Sequence, residues 1–216
     1  MRHYYLIVDT ETTKRNTVAD FGAVVVTKQG QILEQFGAMV LNHFGVLPLF
    51  SDPSADPSAF WSEQSAQRRA KAYDAMLESG ERSISSVGLI NQWLAGINAR
   101  YAPVLTAYNI AFDLGKCRNT RINLGIFNSR FCLMKAAKRQ IGVLAEYHEF
   151  CHTHGFLTAK RRQPSMTAET MARFIFGADL EDEPHTALED AQFYEAPILT
   201  KILESVTRKQ LLELGQ

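Results

Sequence analysis

The chain begins with the apolar stretch Tyr4-Tyr5-Leu6-Ile7-Val8, which ends in the acidic triplet Asp9-Thr10-Glu11. A run that is apolar on both faces is typical of a strand in the centre of a sheet. Side chains two residues apart in a strand point the same way, so Asp9 and Glu11 face one side at the end of this strand. Taken alone, the triplet is better explained by a strand-end turn with solvated acids, and its meaning depends on the rest of the chain.

The segments that follow alternate between β-rich and helical patterns. Residues 18–27 and 32–41 are β-rich runs joined by Lys28-Gln29-Gly30, which predicts an antiparallel hairpin beside the first strand. Further strands are predicted at 103–107 and 127–134, and helices at 59–79, 85–99, 166–176 and over roughly the last forty residues. These patterns predict an α/β fold built on a five-stranded sheet.

Length and composition favour a single globular domain. The chain has 216 residues, 46% of them hydrophobic and 21% charged, which is ordinary for a globular protein with its own core. We expect one domain over residues 1–216, with a helical insertion around residues 48–82. Three cysteines without paired spacing argue against a disulfide framework and predict a cytoplasmic protein. The sequence contains no stretch long enough for a membrane span or a signal peptide, so no membrane partner is expected.

The net charge is zero, with 23 basic and 23 acidic side chains. Proteins that bind duplex nucleic acid over many phosphates are usually basic, so neutrality argues against a broad binding surface. An enzyme that grips a few nucleotides at a strand end needs less positive charge. Three basic groups could guide a backbone or be solvated faces: Arg68-Arg69-Lys71, Lys135-Lys138-Arg139 and Lys160-Arg161-Arg162.

A second acidic motif, Tyr108-Asn109-Ile110-Ala111-Phe112-Asp113, follows a predicted strand and precedes a helical pattern. Asn109 is a plausible N-cap, and Asp113 lies four residues later on the same face of the new helix. Phe112 would anchor the helix inward or offer an aromatic face to a base. A capped helix with an acid that compensates its dipole explains the motif equally simply.

The third motif is His185-Thr186-Ala187-Leu188-Glu189-Asp190. Thr186 and Glu189 fit a capping box, which would place His185 and Asp190 at the two positions whose side chains normally meet in a hydrophobic staple. The spacing therefore predicts an imidazole beside a carboxylate at a helix start. A surface ion pair is the alternative explanation.

Together the three motifs supply oxygen ligands suited to divalent cations and one group that can accept a proton near neutral pH. They resemble the motifs of the DEDDh branch of the DnaQ-like 3′-to-5′ exonuclease family. The match gives Asp9 and Glu11 for the first motif, Asp113 for the second, and His185 and Asp190 for the third. The sister branch has a tyrosine where this chain has Thr186, so the histidine branch is the better match. The resemblance implies an RNase H-like fold, a mixed five-stranded sheet flanked by helices.

The resemblance also implies a mechanism and a set of site residues. Two Mg²⁺ or Mn²⁺ ions would be held by Asp9, Glu11, Asp113 and Asp190. His185 would be the general base, and Glu11 would also meet the terminal 3′ hydroxyl. The expected products are nucleoside 5′-monophosphates released from a 3′ end.

The residues beside these acids are candidates for contacts with the last nucleotides by hydrogen bonding and stacking: Thr10, Thr12, Tyr108, Asn109 and Phe112. The expected partner is a single-stranded 3′ end, because a metal site fed by a short groove must hold an unpaired end. Both DNA and RNA stay open as substrates, because no motif reports recognition of a 2′ hydroxyl. Members of the family that the chain resembles are often homodimers, so the resemblance also implies a homodimer.

Two other functions stay open. The chain could be a nucleic-acid-binding or accessory subunit that kept the fold without the chemistry. It could also be another enzyme, an endonuclease or a phosphatase on an RNase H-like scaffold, and product size would distinguish these from an exonuclease.

Overall fold

The computed structural model describes residues 3–57, 59 and 61–216, which form a mixed sheet with helices on both faces. Its strands are β1 (Tyr4–Thr12), β2 (Val18–Thr27), β3 (Ile32–Val40), β4 (Ser83–Ser85), β5 (Val104–Ala107) and β6 (Arg130–Cys132). They lie in the order β4-β3-β2-β1-β5-β6. Because β1 is antiparallel to β2 and parallel to β5, it lies in the interior of the sheet, as its apolar sequence predicts.

The apolar run of β1 supplies side chains to the core on both faces of the sheet. Leu6 and Val8 pack into one core, and Tyr5 and Ile7 pack into the other, as the two-residue period of a strand requires. The predicted hairpin between β2 and β3 is confirmed. It turns at Gly30, whose φ of 78° is a conformation that glycine adopts without the steric penalty of a Cβ atom.

Helices cover both faces of this sheet. They are α1 (Glu63–Ser79), α2 (Val87–Tyr101), α3 (Ile110–Thr120), α4 (Leu133–Gln140), α5 (Ala145–His154), α6 (Ala168–Phe176), α7 (Ala187–Glu189), α8 (Ala196–Leu203) and α9 (Arg208–Leu214). A 3₁₀ turn occupies Leu124–Ile126, and a π-helical segment, Asp190–Glu195, joins α7 to α8. α2 and α3 pack on the Leu6 face, whereas α4, α5, α6 and α8 pack on the Tyr5 face.

The mixed sheet flanked by helices is confirmed, although it has six strands where the sequence predicts five. The additional strand, β4, has three residues and pairs in parallel with the end of β3. So short and polar a segment carries no alternation by which it could be recognised. The strand predicted at 127–134 shrinks to β6, because Leu133 already begins α4.

The helix predicted from residue 59 begins later, at Glu63, where the hydroxyl of Ser62 accepts a hydrogen bond from the backbone N–H of Ser65. It lies within the region 48–82 that we expect to be an insertion. That assignment and the single-domain extent stay predictions. Among the described residues, no helix is both long and apolar enough to cross a membrane.

Candidate active site

The third motif rests directly on the sheet beside the first. Asp9 in β1 pairs with Gly22 in β2. A Cβ atom at Gly22 would lie 2.1 Å from the carbonyl carbon of Ala187, so only glycine lets the backbone of the third motif approach this closely. The contact places His185 and Asp190 next to the acidic end of β1.

The helix start in the third motif is held by different groups from those that the sequence predicts. Thr186 is the N-cap of α7, but its hydroxyl is buried and has no hydrogen-bond partner among the described residues. The backbone N–H of Ala187 instead donates to Asp20 Oδ2 at 2.9 Å. The side chain of Glu189 pairs with Arg82. The predicted capping box of Thr186 and Glu189 is therefore wrong.

The buried side chain of Arg82 explains this difference. Its guanidinium pairs with Glu189 and lies 3.7 Å from Asp20 Oδ1. A buried cation is tolerated when carboxylates surround it, so Glu189 is drawn towards Arg82 and away from the helix start. Asp20 and Arg82 fix the peptide between His185 and Asp190 from the sheet side.

The predicted acids and the predicted histidine come together at this place. Glu11, His185 and Asp190 offer ligand atoms that all lie within 4.8 Å of one another. Asp113 is 3% exposed and accepts a 2.8 Å hydrogen bond from the Thr10 hydroxyl, which turns its carboxylate towards β1. The name acid cluster is used below for Asp9, Glu11, Asp113 and Asp190.

The carboxylates of the acid cluster are buried and repel one another when they are ionised. Burial raises the pKa of Asp9 well above its usual range, and the neighbouring carboxylates, which include those of Asp113 and Asp190, raise it further. Burial also raises the pKa of Glu11 to about 8, although Arg69 opposes this, and that of Asp113 to about 7. Buried carboxylates that repel one another fit a site for hard divalent cations.

One unbonded oxygen supports the same conclusion. Asp190 is 4% exposed, and its Oδ1 forms no hydrogen bond within the part of the chain that the structure describes. Buried polar atoms are normally satisfied, so each exception needs a reason. A cation ligated by Asp190 Oδ1 would supply one.

Its surroundings hold the His185 side chain in the neutral form. Burial, and then the positive charge of Arg69, lower its pKa from the usual 6.5 to about 4, so its imidazole is neutral at pH 7. Its Nδ1 lies 3.9 Å from Glu183 Oε2. Its backbone is left-handed, with a φ of 56°, which turns the chain sharply into α7.

Three charged residues of the site were not identified from the sequence. Arg69 of α1 is buried, and its Nη1 lies 2.7 Å from Glu11 Oε2, although the sequence shows it only as one member of a basic group. Glu183 and Glu195 are carboxylates for which the motifs give no signal. Burial raises the pKa of Glu183 to about 7 and that of Glu195 well above its usual range.

Two other predicted basic residues have structural partners. Lys135 bonds to the carbonyl of Gln216, and Arg139 donates to the carbonyl oxygens of Glu213 and Leu214. These contacts satisfy backbone acceptors at the end of α9, a common use of basic side chains. They give these two side chains a structural role.

The predicted nucleotide contacts divide into buried and exposed groups. Thr10 and Thr12 are buried, and the hydroxyl of Tyr108 donates to the carbonyl of Met166 at 2.6 Å. Asn109 is the N-cap of α3, as predicted, but its exposed side chain makes no capping hydrogen bond, and Phe112 is 43% exposed. The two exposed side chains are thus better placed to meet a nucleotide, and all five contacts stay predictions.

A cleft of about 520 Å³ opens beside His185. Its walls come from α1, from Glu169 of α6 and from residues 182–185, which lead into the third motif. Arg68 and Arg69 of α1 share this lining with three carboxylates, those of Glu169, Asp182 and Glu183. The cleft is therefore of mixed charge, and one of its walls is His185.

Comparisons with known proteins give a fold but no family. No protein-family model matches the sequence, and no curated protein does. The chain is similar to a solved structure of exonuclease I in complex with the inhibitor BCBP, at 17% identity and a TM-score of 0.50, over 99% of this chain and 43% of that one. Two further structures have TM-scores below 0.5. E. coli exonuclease I in complex with a 5cy-dT13 oligonucleotide has 18% identity and a TM-score of 0.49, over 99% of this chain and 42% of that one. Exonuclease X in complex with 5′ overhanging duplex DNA has 17% identity and a TM-score of 0.46, over 98% of this chain and 99% of that one.

The sheet and its flanking helices thus define a fold of the RNase H-like type, the fold of exonuclease I. The chain spans less than half the length of the exonuclease I chains that it matches.

Proposed function

We propose that the protein is a metal-dependent 3′-to-5′ exonuclease of the DEDDh type, which releases nucleoside 5′-monophosphates from single-stranded DNA or RNA ends. The observation that carries the proposal is the meeting of Glu11, His185 and Asp190 within 4.8 Å. These residues come from distant parts of the chain and supply both cation ligands and a proton acceptor. The shared fold with an exonuclease supports the assignment.

The acid cluster would hold two divalent cations, Mg²⁺ or Mn²⁺. When bound in such a site, these ions make water more acidic and stabilise the charge on the leaving oxygen. Asp113 is oriented for this role by Thr10. Asp190 offers the buried Oδ1 that has no hydrogen bond among the described residues.

His185 would remove the proton from the attacking water. Its pKa of about 4 keeps its imidazole neutral at pH 7, the form of histidine that can accept a proton. General base catalysis of this kind is typically worth about 10²–10⁴ in rate. Glu11 would accept a hydrogen bond from the terminal 3′ hydroxyl, which selects a strand end.

The substrate end would lie between α1 and α3. Phe112, exposed beside the acid cluster, would stack on a base, and Asn109 would hydrogen-bond nearby. Thr10, Thr12 and Tyr108 would support the site from within the fold. A single strand is favoured because a paired end cannot present its last phosphate to buried carboxylates.

The test uses 5′-labelled single-stranded DNA and RNA of one sequence, incubated with Mg²⁺, Mn²⁺ or EDTA. The wild-type protein is expected to produce a descending ladder with either metal and none in EDTA. Asp9→Ala should abolish the ladder, whereas Asp74→Ala, which removes an exposed acid of α1, should leave it unchanged. The faster substrate identifies the preferred sugar.

Other outcomes point to the other functions. Internal fragments would indicate an endonuclease, and intact labels with every metal would indicate a binding or accessory protein. Wild-type turnover by Asp9→Ala would refute the site assignment itself.

The proposal also includes a cellular compartment, the cytoplasm, and an oligomeric state, the homodimer. Cys117, Cys132 and Cys151 are all buried thiols, which supports the cytoplasm. A homodimer remains to be tested by light scattering of the purified protein.

A further inference from the structure

The π-helical segment after Asp190 changes which side chains face the acid cluster. In this segment the backbone N–H of Ala196 bonds to the carbonyl of Ala191, five residues earlier. Residues five apart in an α-helix are separated by about 140° around the axis. The wider π turn brings them closer into line, so Glu195 lies on the same side of the helix as Asp190.

Glu195 is a buried carboxylate with an unsatisfied oxygen. The residue is 2% exposed, and its Oε2 has no hydrogen-bond partner within the described ranges. A hydrogen bond from the backbone N–H of Tyr108 stabilises its ionised form. A carboxylate oxygen that is buried without a hydrogen bond is unfavourable, unless a positive group such as a cation binds it.

Electrostatic interactions link Glu195 to the acid cluster. Among the charged groups that act on it, Asp113 has the largest influence on its pKa. In turn, Glu195 is the charged group with the largest influence on the pKa of Asp9. Glu195 thus acts on the acid cluster from within the fold, on the side of the helix that carries Asp190.

We propose that Glu195 is a further ligand of the metal site, and that its Oε2 binds, directly or through one water, the cation shared by Asp9 and Asp113. This inference rests on the proposed function, because it concerns the same metal site. It assigns a role to the π turn: the extra residue in that turn directs a fifth carboxylate into the site. It also accounts for the buried oxygen, since a cation replaces the missing hydrogen bond.

The experiment measures Mn²⁺ binding to the full chain by electron paramagnetic resonance and by calorimetry. Glu195→Gln keeps the size of the side chain and its ability to accept the Tyr108 hydrogen bond, but removes the charge. We expect it to weaken the binding of one Mn²⁺ ion by about tenfold or more, the effect typical of groups around a metal. Glu204→Gln, on the exposed face of the last turn that follows α8, is the matched control and should bind as the wild type does.

Thermal unfolding provides a second readout. In EDTA, Glu195→Gln should have a higher Tm than the wild type, because an amide at this position requires neither a buried charge nor the uptake of a proton on folding. Its Tm should rise less on addition of Mg²⁺. If Glu195→Gln fails to fold, Glu195→Asp retains the charge but shortens the reach, and should weaken the same Mn²⁺ ion.

The outcomes separate this inference from the proposed function. Wild-type Mn²⁺ affinity and an unchanged Mg²⁺ response in Glu195→Gln would overturn the inference and leave the nuclease assignment intact. Weakened Mn²⁺ binding in the variant, with no hydrolysis by the wild type, would support the inference and overturn the proposed function. A wild-type protein that binds no Mn²⁺ would overturn both.

Discussion

Arg69 Nη1 lies 2.7 Å from Glu11 Oε2, and both side chains are largely buried. A second nitrogen of the same guanidinium, Nη2, donates to the carbonyl of Phe50 at 3.1 Å. α1 is therefore fastened to the end of β1 through a carboxylate that we propose as a metal ligand. The guanidinium of Arg69 and a bound metal ion would both supply positive charge to the carboxylate of Glu11.

We predict that Arg69→Gln destabilises the metal-free protein by about 1–3 kcal/mol, because Glu11 Oε2 and the carbonyl of Phe50 lose the hydrogen bonds that the guanidinium donates. Mg²⁺ should restore more stability to this variant than to the wild type, since the ion supplies the missing positive charge. Thermal unfolding in EDTA and in Mg²⁺ measures both effects. Arg68→Gln, on the exposed side of the same turn, is the control; an equal loss there would contradict the prediction.

Gly22→Ala should displace the third motif. The added methyl would lie 2.1 Å from the Ala187 backbone, so the strand or the helix start must move. Overpacking of this kind typically destabilises by about 1–3 kcal/mol, and a shift at His185 should reduce hydrolysis more than it reduces stability. Gly88→Ala, where the nearest atom would be 3.6 Å away, provides the comparison. Unchanged turnover in Gly22→Ala would show that this close contact is unimportant.

His185→Asn is expected to lower kcat by about 10²–10⁴-fold, with little change in the affinity for a single-stranded end. Asparagine is the suitable replacement because it tolerates the left-handed backbone at this position. Single-turnover kinetics would measure the first effect, and fluorescence anisotropy on a phosphorothioate end the second. A loss confined to affinity would argue that the imidazole binds substrate and does not remove a proton.

The stability of the metal-free protein should fall as the pH rises from about 4.5 to about 8, and should change little above that range. The folded-state pKa values of Glu11, about 8, and of Asp113 and Glu183, about 7, lie above their usual values. The folded chain therefore holds protons that the unfolded chain has released, and this advantage is lost as the pH passes through the raised values. His185 acts in the opposite sense, but between pH 6.5 and about 4.

The measurement is Tm between pH 5 and 9, in EDTA and in Mg²⁺. We expect a decline between pH 5 and about 8 in EDTA that levels off at higher pH, and a flatter profile in Mg²⁺, because the ions replace the protons. A flat profile in EDTA would mean that these acids remain ionised without metal.

The sequence predicted the strands, turns and helices whose formation depends on residues that are neighbours in the chain. The apolar run of β1, the hairpin at Gly30 and the helix over α2 depend on neighbouring residues, and each is found close to its predicted place. The motifs and the family that they resemble also pointed to Glu11, His185 and Asp190, whose ligand atoms lie within 4.8 Å of one another, and the role of these residues stays a prediction.

The residues that were missed depend on partners far away in the chain. Arg69 meets Glu11 across 58 positions, and Arg82 meets Glu189 across 107. Because such contacts arise only from the tertiary fold, the sequence around Thr186 predicted a capping box that Asp20 and Arg82 override. Glu195 was missed for another reason: the α-helical period turns it away from Asp190, and the π turn reverses that.

The hydrogen bond from the Ala187 N–H to Asp20 spans 167 positions. During synthesis, the first two motifs leave the ribosome long before the peptide that must dock beside Gly22. Until that docking takes place, the nascent chain has neither the histidine nor the last carboxylate in position. A nascent chain of the proposed nuclease is therefore inactive until the third motif has emerged and docked beside Gly22.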